Sequence, residues 1–336
     1  LALLLALSML IGMVPAAYAA PADTIESINS TETVDSSEME DVSDESKEAA
    51  VYTAANEAMI GDQAYATLQD AIEAASPGDT ITLLKDGTLG SNITKGVTIV
   101  GQEVDGVKPV ISANYWYKAD NLTLKNVKLV RSDRLGIQEC SNVNFENCEI
   151  TRASATSTFA LVDVKSDAKN VTFTDCVFDS LGQASVIYAR GENITLKNCQ
   201  LKNADFGIYC DGFSGKMTVN NCTFTNLPTN VGRNTENSVT AEFAFNECNL
   251  AGYFGFKAGE EAEFKNCKFT KASKMDEAYN ADWNQVFTCC DISFDNCSFT
   301  EDYAGKFYVS VDAVPTTVIA LTGCTVVDEN GLASSS

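Results

Sequence analysis

Eight times between Cys148 and Cys324 the chain repeats one phrase: an apolar residue, a spacer, an apolar residue, two residues ending most often in Asn or Asp, then Cys, a spacer and an apolar residue. Val143-Asn-Phe145-Glu-Asn-Cys148-Glu-Ile150, Ile194-Thr-Leu196-Lys-Asn-Cys199-Gln-Leu201 and Ile292-Ser-Phe294-Asp-Asn-Cys297-Ser-Phe299 are typical copies. The others centre on Cys176, Cys222, Cys248, Cys267 and Cys324, and Leu122 to Leu129 repeats the phrase with Val127 in the Cys slot. Alternation with period two turns one face of a short strand inward and the other to solvent. Asn and Asp tolerate a left-handed backbone better than other side chains, so the residue before Cys predicts a corner. Each copy therefore reads as strand, corner, strand.

Successive Cys are 28, 23, 23, 26, 19, 30 and 27 residues apart by subtraction. A period near two dozen with variable insertions is that of a solenoid whose turns touch only their neighbours. Helical repeats need long segments of 3.6-residue periodicity, and the sequence has none, so the strands stack in parallel. A second family of strands is expected at Phe159 to Val164, Ser185 to Arg190, Phe206 to Cys210, Tyr253 to Lys257, Gln285 to Cys289 and Phe307 to Val311.

On these residues the chain resembles the right-handed parallel β-helices of the pectin-lyase-like kind, over roughly residues 60 to 330. The resemblance implies an all-β solenoid of about ten turns with three short strands each. The stretch Ala64 to Ile81, with Thr67 as cap and Leu68, Ala71, Ile72 and Ala75 on one face, resembles the opening motif of secreted β-helix proteins. It implies a capping helix near residues 67–75 that covers apolar core at the end of the solenoid. Function is implied far less sharply, because this scaffold hosts lyases, hydrolases, adhesins and structural spikes.

Residues 1–20 read as a signal peptide that lacks its own start: an apolar run from Leu1 to Met13, then the small-x-small pattern Ala17-Tyr18-Ala19. Residues 21–50 carry ten acids against the single Lys47 and are expected to be a disordered spacer. Residues 51–336 form one β-helix domain. The expected location is extracellular, secreted or at a bacterial cell surface, with no transmembrane segment in the mature chain.

Twelve Cys in an exported chain would ordinarily suggest disulfides. In-register stacking instead places neighbouring Cβ atoms about 4.8 Å apart with parallel bonds, where a disulfide needs about 3.8 Å. The column Cys148, Cys176, Cys199, Cys222, Cys248, Cys267, Cys297 and Cys324 is thus expected to be small, buried and free. Pairing among Cys140, Cys210, Cys289 and Cys290 stays open. No metal site is expected, since His is absent and no CxxC pair occurs.

Net charge is −23, which makes nucleic acid a poor partner. By the same token polyanionic glycans are expected to be repelled unless calcium bridges them, and calcium is the one cofactor considered, under a lyase reading alone. Without His there is no imidazole acid or base. A lyase would draw on Arg190 with Glu192, Asp163 and Asp211; a hydrolase would draw on Asp163, Asp205 and Asp211. Tyr115, Trp116 and Tyr117, expected in a loop, and Trp283 are candidate platforms for sugar faces. The first expectation is a non-catalytic protein that binds glycan or other surface material. The alternatives are a carbohydrate-active enzyme, polysaccharide lyase or glycoside hydrolase, and a purely structural rod. An Arg with two acids on one sheet face would favour catalysis, and Trp116 with Tyr residues and no clustered acids would favour binding. Insertions at Arg152 to Phe159, Asn226 to Ser238 and Ala272 to Gln285 are where function is expected.

Overall fold

The computed structural model describes residues 56–112, 115–156, 158–182, 184–232, 240–257, 259–271, 286–304, 307–309, 317–328 and 330–333. The expected signal peptide and acidic spacer, Trp283 and most of the last two insertions lie outside them. Among the described residues the strands form three sheets of thirteen, eleven and nine strands. The chain visits the sheets in rotation, so nine turns carry a strand in all three, flanked by partial turns. Beyond the first hairpin and its antiparallel pairing with Thr80–Leu83, the strands pair in parallel, in register as in Val143↔Val171 and Phe145↔Phe173, with one register shift between Thr229 and Val231.

The phrase works as its chemistry dictates. The residue before each Cys slot has a positive φ, from 50° at Asn147 and Asn221 to 63° at Gly323. Nearly all are Asn or Asp, which tolerate this region at lower cost than β-branched residues. A second set, Asn121, Asn142, Asn170 and Asn193, turns the chain into the thirteen-stranded sheet in the same way. Stacked corners bond through their amides: Asn147 Nδ2 donates to Asn126 Oδ1 at 2.9 Å, Asn198 Nδ2 to Asp175 Oδ1 at 2.8 Å and Asn221 Nδ2 to Asn198 Oδ1 at 3.0 Å.

Between the corners the inward residues stack on themselves. Phe145 lies on Phe173 with ring centroids 4.8 Å apart, and Phe245, Phe264 and Phe294 follow at 4.9 and 5.0 Å. Each thiol of the Cys column donates back to the carbonyl two residues earlier, at 3.2–3.6 Å. Seven of the eight are buried and Cys324 is half-buried. Away from the column, burial pushes the Cys140 thiol up to about 11 and the Cys290 thiol up to about 12.

The helix spans Leu68–Ala74, with Thr67 Oγ1 accepting from Asp70 N at 3.1 Å and Leu68, Ala71 and Ile72 buried. Beside it, Ala58–Ile60 and Gln63–Tyr65 form an antiparallel hairpin whose first strand pairs with Thr80–Leu83. This hairpin closes that edge of the parallel sheet, and the repeat pattern did not announce it. The structure also corrects the aromatic triplet. Trp116–Tyr117 is a strand of the nine-stranded sheet, not a loop, and Tyr117 is fully buried against Phe145 at 6.0 Å. Tyr117 is therefore core and presents no platform.

Two outcomes follow. A soluble alkylating reagent in native buffer is expected to label Cys324 first and the buried thiols only on denaturation, because reaction needs an accessible thiolate; ready labelling of most of the twelve would contradict this packing. Asn198→Val is expected to destabilise the protein by about 2 kcal/mol in urea titration, since it puts a β-branched residue at positive φ and removes two ladder bonds.

Candidate functional site

The outer face of the nine-stranded sheet departs most from the repeat. Register aligns Trp116, Gly136, Asp163, Tyr188 and Tyr209 on five successive strands. Since Val162 and Val164 point into the core, alternation puts Asp163 on the outside. Gly136 makes room for the indole: a Cβ there would lie 2.0 Å from Trp116 Cε3. The ring is thus laid flat across the neighbouring strand. Lys165 Nζ stands 5.1 Å from its centroid, within cation–π range.

Asp163 faces outward yet has no exposed area, because three cations close over it. Arg190 Nη2 donates to Oδ1 at 2.7 Å, while Lys165 Nζ and Arg134 Nη1 donate to Oδ2 at 2.9 and 3.0 Å. Burial alone would raise the carboxyl, but the hydrogen bonds from Arg190, Lys165 and Arg134 outweigh it and hold Asp163 below its ordinary range. The three cationic side chains remain about a quarter exposed, at 22% for Arg134, 26% for Lys165 and 25% for Arg190. Arg190 Nε is buried and has no hydrogen-bond partner among the described residues.

Aromatic rings fill the gaps between these charges. The Arg190 guanidinium lies 4.5 Å from the centroid of Tyr188, and Tyr188 leans on Tyr209 at 5.5 Å. The Tyr188 hydroxyl donates to Asp211 Oδ2. Burial and then this carboxylate push the phenol up to about 12, so it stays protonated near neutrality. Arg134 sits 3.9 Å from the centroid of the exposed Phe159.

Arg134 and Phe159 arrive on loops, and a buried arginine ties those loops together. Arg152 Nη1 donates to Asp133 O at 3.2 Å, its Nε to Ser180 Oγ at 3.1 Å and its Nη2 to Phe159 O. Arg131 pairs in register with Arg152 and donates to the Tyr117 hydroxyl. The insertion from Arg152 to Phe159 thus borders the site.

Of the sequence candidates, the structure brings Asp163 and Arg190 into one ion pair and joins Asp211 to them through Tyr188. Asp205 leads into the strand Phe206–Cys210 that carries Tyr209, with its backbone N donating to Ala184 O at 2.8 Å. Glu192 belongs to a different sheet and pairs with Lys169 at 3.0 Å. Trp116 is half-buried within the site and Tyr115 is exposed just before it. Sequence reading passed over Arg134, Lys165, Tyr188, Tyr209 and Arg152. One signal was present: of five arginines in the chain, Arg131, Arg134, Arg152 and Arg190 fall within sixty residues, roughly two turns and a half.

The arrangement answers the chemical alternatives unevenly. Arg190 with Asp163 and Asp211 meets the composition expected of a catalytic cluster. Glycoside hydrolysis, however, needs two carboxyls that reach substrate, one of them with a raised pKa. Asp163 is buried, clamped and shifted the opposite way, and Asp211 holds Tyr188. A lyase base must be free to take a proton, whereas Arg190 is engaged by Asp163 and Tyr188 stays protonated. Among the described residues no group of three or more Cys, Asp or Glu is placed to hold a metal ion.

The family model described as "Right handed beta helix region" matches residues 105–299, and the chain belongs to that family. No curated protein matches the sequence. Among solved structures it is similar to pectate lyase Pel9A, at 13% identity over 81% of this chain and 77% of that one, with a TM-score of 0.52. It is also similar to an alginate lyase from Paenibacillus sp. str. FPU-7, at 13% identity, 77% and 92% coverage and a TM-score of 0.46. PfbA, a surface adhesin of Streptococcus pneumoniae, matches at 11% identity, 78% and 86% coverage and a TM-score of 0.42. At these identities the likeness is one of fold.

Asp163→Asn is expected to cost about 3–5 kcal/mol, because it leaves three cations around an uncharged group. In the unmodified protein the folded Asp163 carboxyl gives up its proton more readily than the unfolded one. Its contribution is therefore complete above about pH 5 and declines as pH falls through ~4 and below. Urea titrations of both proteins between pH 3 and 7 check this: the difference between them should shrink on the acid side, and a constant difference would refute the assignment.

Proposed function

We propose that this is a non-catalytic carbohydrate-binding β-helix protein, secreted or held at a cell surface, and that the outer face of the nine-stranded sheet is its contact surface. The observation that carries the proposal is the Trp116 ring, laid flat over Gly136 in one row with Tyr188 and Tyr209. A sugar presents an axial CH face that stacks on such rings and a ring of hydroxyls that accept from Arg and Lys donors beside them. At a strand spacing of about 4.8 Å, Trp116 stands three strands from Tyr188 and four from Tyr209 along one row, which suits an extended chain more than a single sugar. No described helix is long and apolar enough to cross a membrane.

Catalysis is the rival reading, motivated by Arg190, Asp163 and Asp211 lying together. It is disfavoured because every one of these groups is engaged by another in a way that removes it from acid–base work. A glycan array with the purified protein, followed by product analysis, separates the two. Trp116→Ala is expected to weaken binding of the best ligand by about tenfold or more. Gly136→Ala keeps the indole but drives a methyl into its ring plane, and is expected to weaken binding while shifting Trp fluorescence. Release of unsaturated or reducing ends from any polysaccharide would overturn the non-catalytic reading, and full binding by Trp116→Ala would remove this face as the site.

A further inference from the structure

We infer that the ligand is anionic and that Arg134, Lys165 and Arg190 form the subsite for its carboxylate or sulfate. The inference rests on the glycan-binding reading and deepens it. Its starting point is a local inversion of charge. The chain carries 46 acids and 23 bases, two to one. Around the Trp116 face stand Arg134, Lys165 and Arg190, with Arg131 and Arg152 buried behind them, against Asp133, Asp163, Asp211 and, at the margin, Asp205. That is five bases to four acids, leaving 18 bases to 42 acids elsewhere (23 less five and 46 less four).

Within the cluster the central acid is closed off from solvent. Asp163 is the carboxylate on which Arg134, Lys165 and Arg190 converge, and it is fully buried beneath them. Asp211 accepts from the Tyr188 hydroxyl, and Asp133 lies 3.4 Å from Arg134 Nε. Asp163 thus offers solvent nothing, whereas Arg134, Lys165 and Arg190 each keep about a quarter of the side chain exposed beside the half-exposed Asp133. One buried anion pre-positions three cations, so a ligand anion meets donors already ordered, and little entropy is lost in arranging them. The fixed guanidinium forks suit planar oxyanions, and Lys165 adds an adaptable donor over the Trp116 ring. Expectation from net charge alone is thereby reversed: an acidic protein keeps anions off most of its surface and admits them at one place.

The test uses the whole protein in a calcium chelator, by calorimetry against three probes: a hyaluronan hexasaccharide, its carboxyl-reduced counterpart and a chondroitin sulfate hexasaccharide. At least one acidic probe is expected to bind about tenfold or more tighter than the neutral one, and which of the two prevails identifies carboxylate or sulfate as the anion. That preference should fade as salt rises from 50 to 500 mM, while neutral binding stays level. Lys165→Gln and Arg134→Gln, both at partly exposed positions, should each lower acidic binding about tenfold and neutral binding much less, so that the acidic preference collapses, and Lys165→Arg should restore most of that preference. The salt series in the unmodified protein decides the matter even if a variant folds poorly. Equal binding of acidic and neutral probes would overturn the anionic subsite and leave the glycan reading standing, as would acidic binding that appears only when calcium is restored. Binding of none of the three, with no array ligand sensitive to Trp116→Ala, would overturn both.

Discussion

Everything in this protein depends on parallel strands stacking in register, turn upon turn. Register places like residues over like, so one choice of side chain is repeated as a column: phenylalanines ring on ring, thiols on carbonyls, amides on amides. A column works only if each turn re-enters it at the same height. The left-handed corner before each Cys slot secures that, because it bends the chain sharply without adding residues. Where Asn or Asp occupies the corner, the local backbone preference and the ladder bond favour the same conformation. Glu247 and Gly323, which break the pattern, still adopt the positive φ that their neighbours impose.

Against that regularity the Trp116 face stands out by its composition. A glycine in one turn makes space for an indole from the turn before. An aspartate in the next is surrounded by cations from three turns. A buried arginine, Arg152, braces the loops that deliver one of those cations and an aromatic partner. The long-range order of the solenoid converts residues twenty or more positions apart into neighbours across a strand gap, and a solenoid can therefore assemble a binding face from single substitutions in otherwise ordinary turns.

The strands, the corners and the capping helix were legible in the sequence because each is set by local alternation, φ tolerance or a capping side chain. The phrase from Val143 to Ile150 needs no distant partner to declare its geometry. The hairpin at Ala58 to Tyr65 was not legible, since a single antiparallel pair leaves no periodic mark. The site was half legible. Asp163, Arg190 and Trp116 attracted notice as chemistry-bearing residues, yet nothing local says that Asp163 would be buried or that Arg134 would reach it from another turn. Tyr117 was misread because one residue of register separates an inward ring from an outward one.

By itself the sequence determined a parallel solenoid with Cys and Phe inside and Asn at the bends, because those outcomes follow from repeats of a few residues. Tertiary structure alone decided how the charges are distributed. Net charge is a sum over the chain and carries no positions. Stacking is what gathered Arg134, Arg190 and Lys165 around a buried carboxylate, and set them beside Trp116 on an otherwise acidic protein.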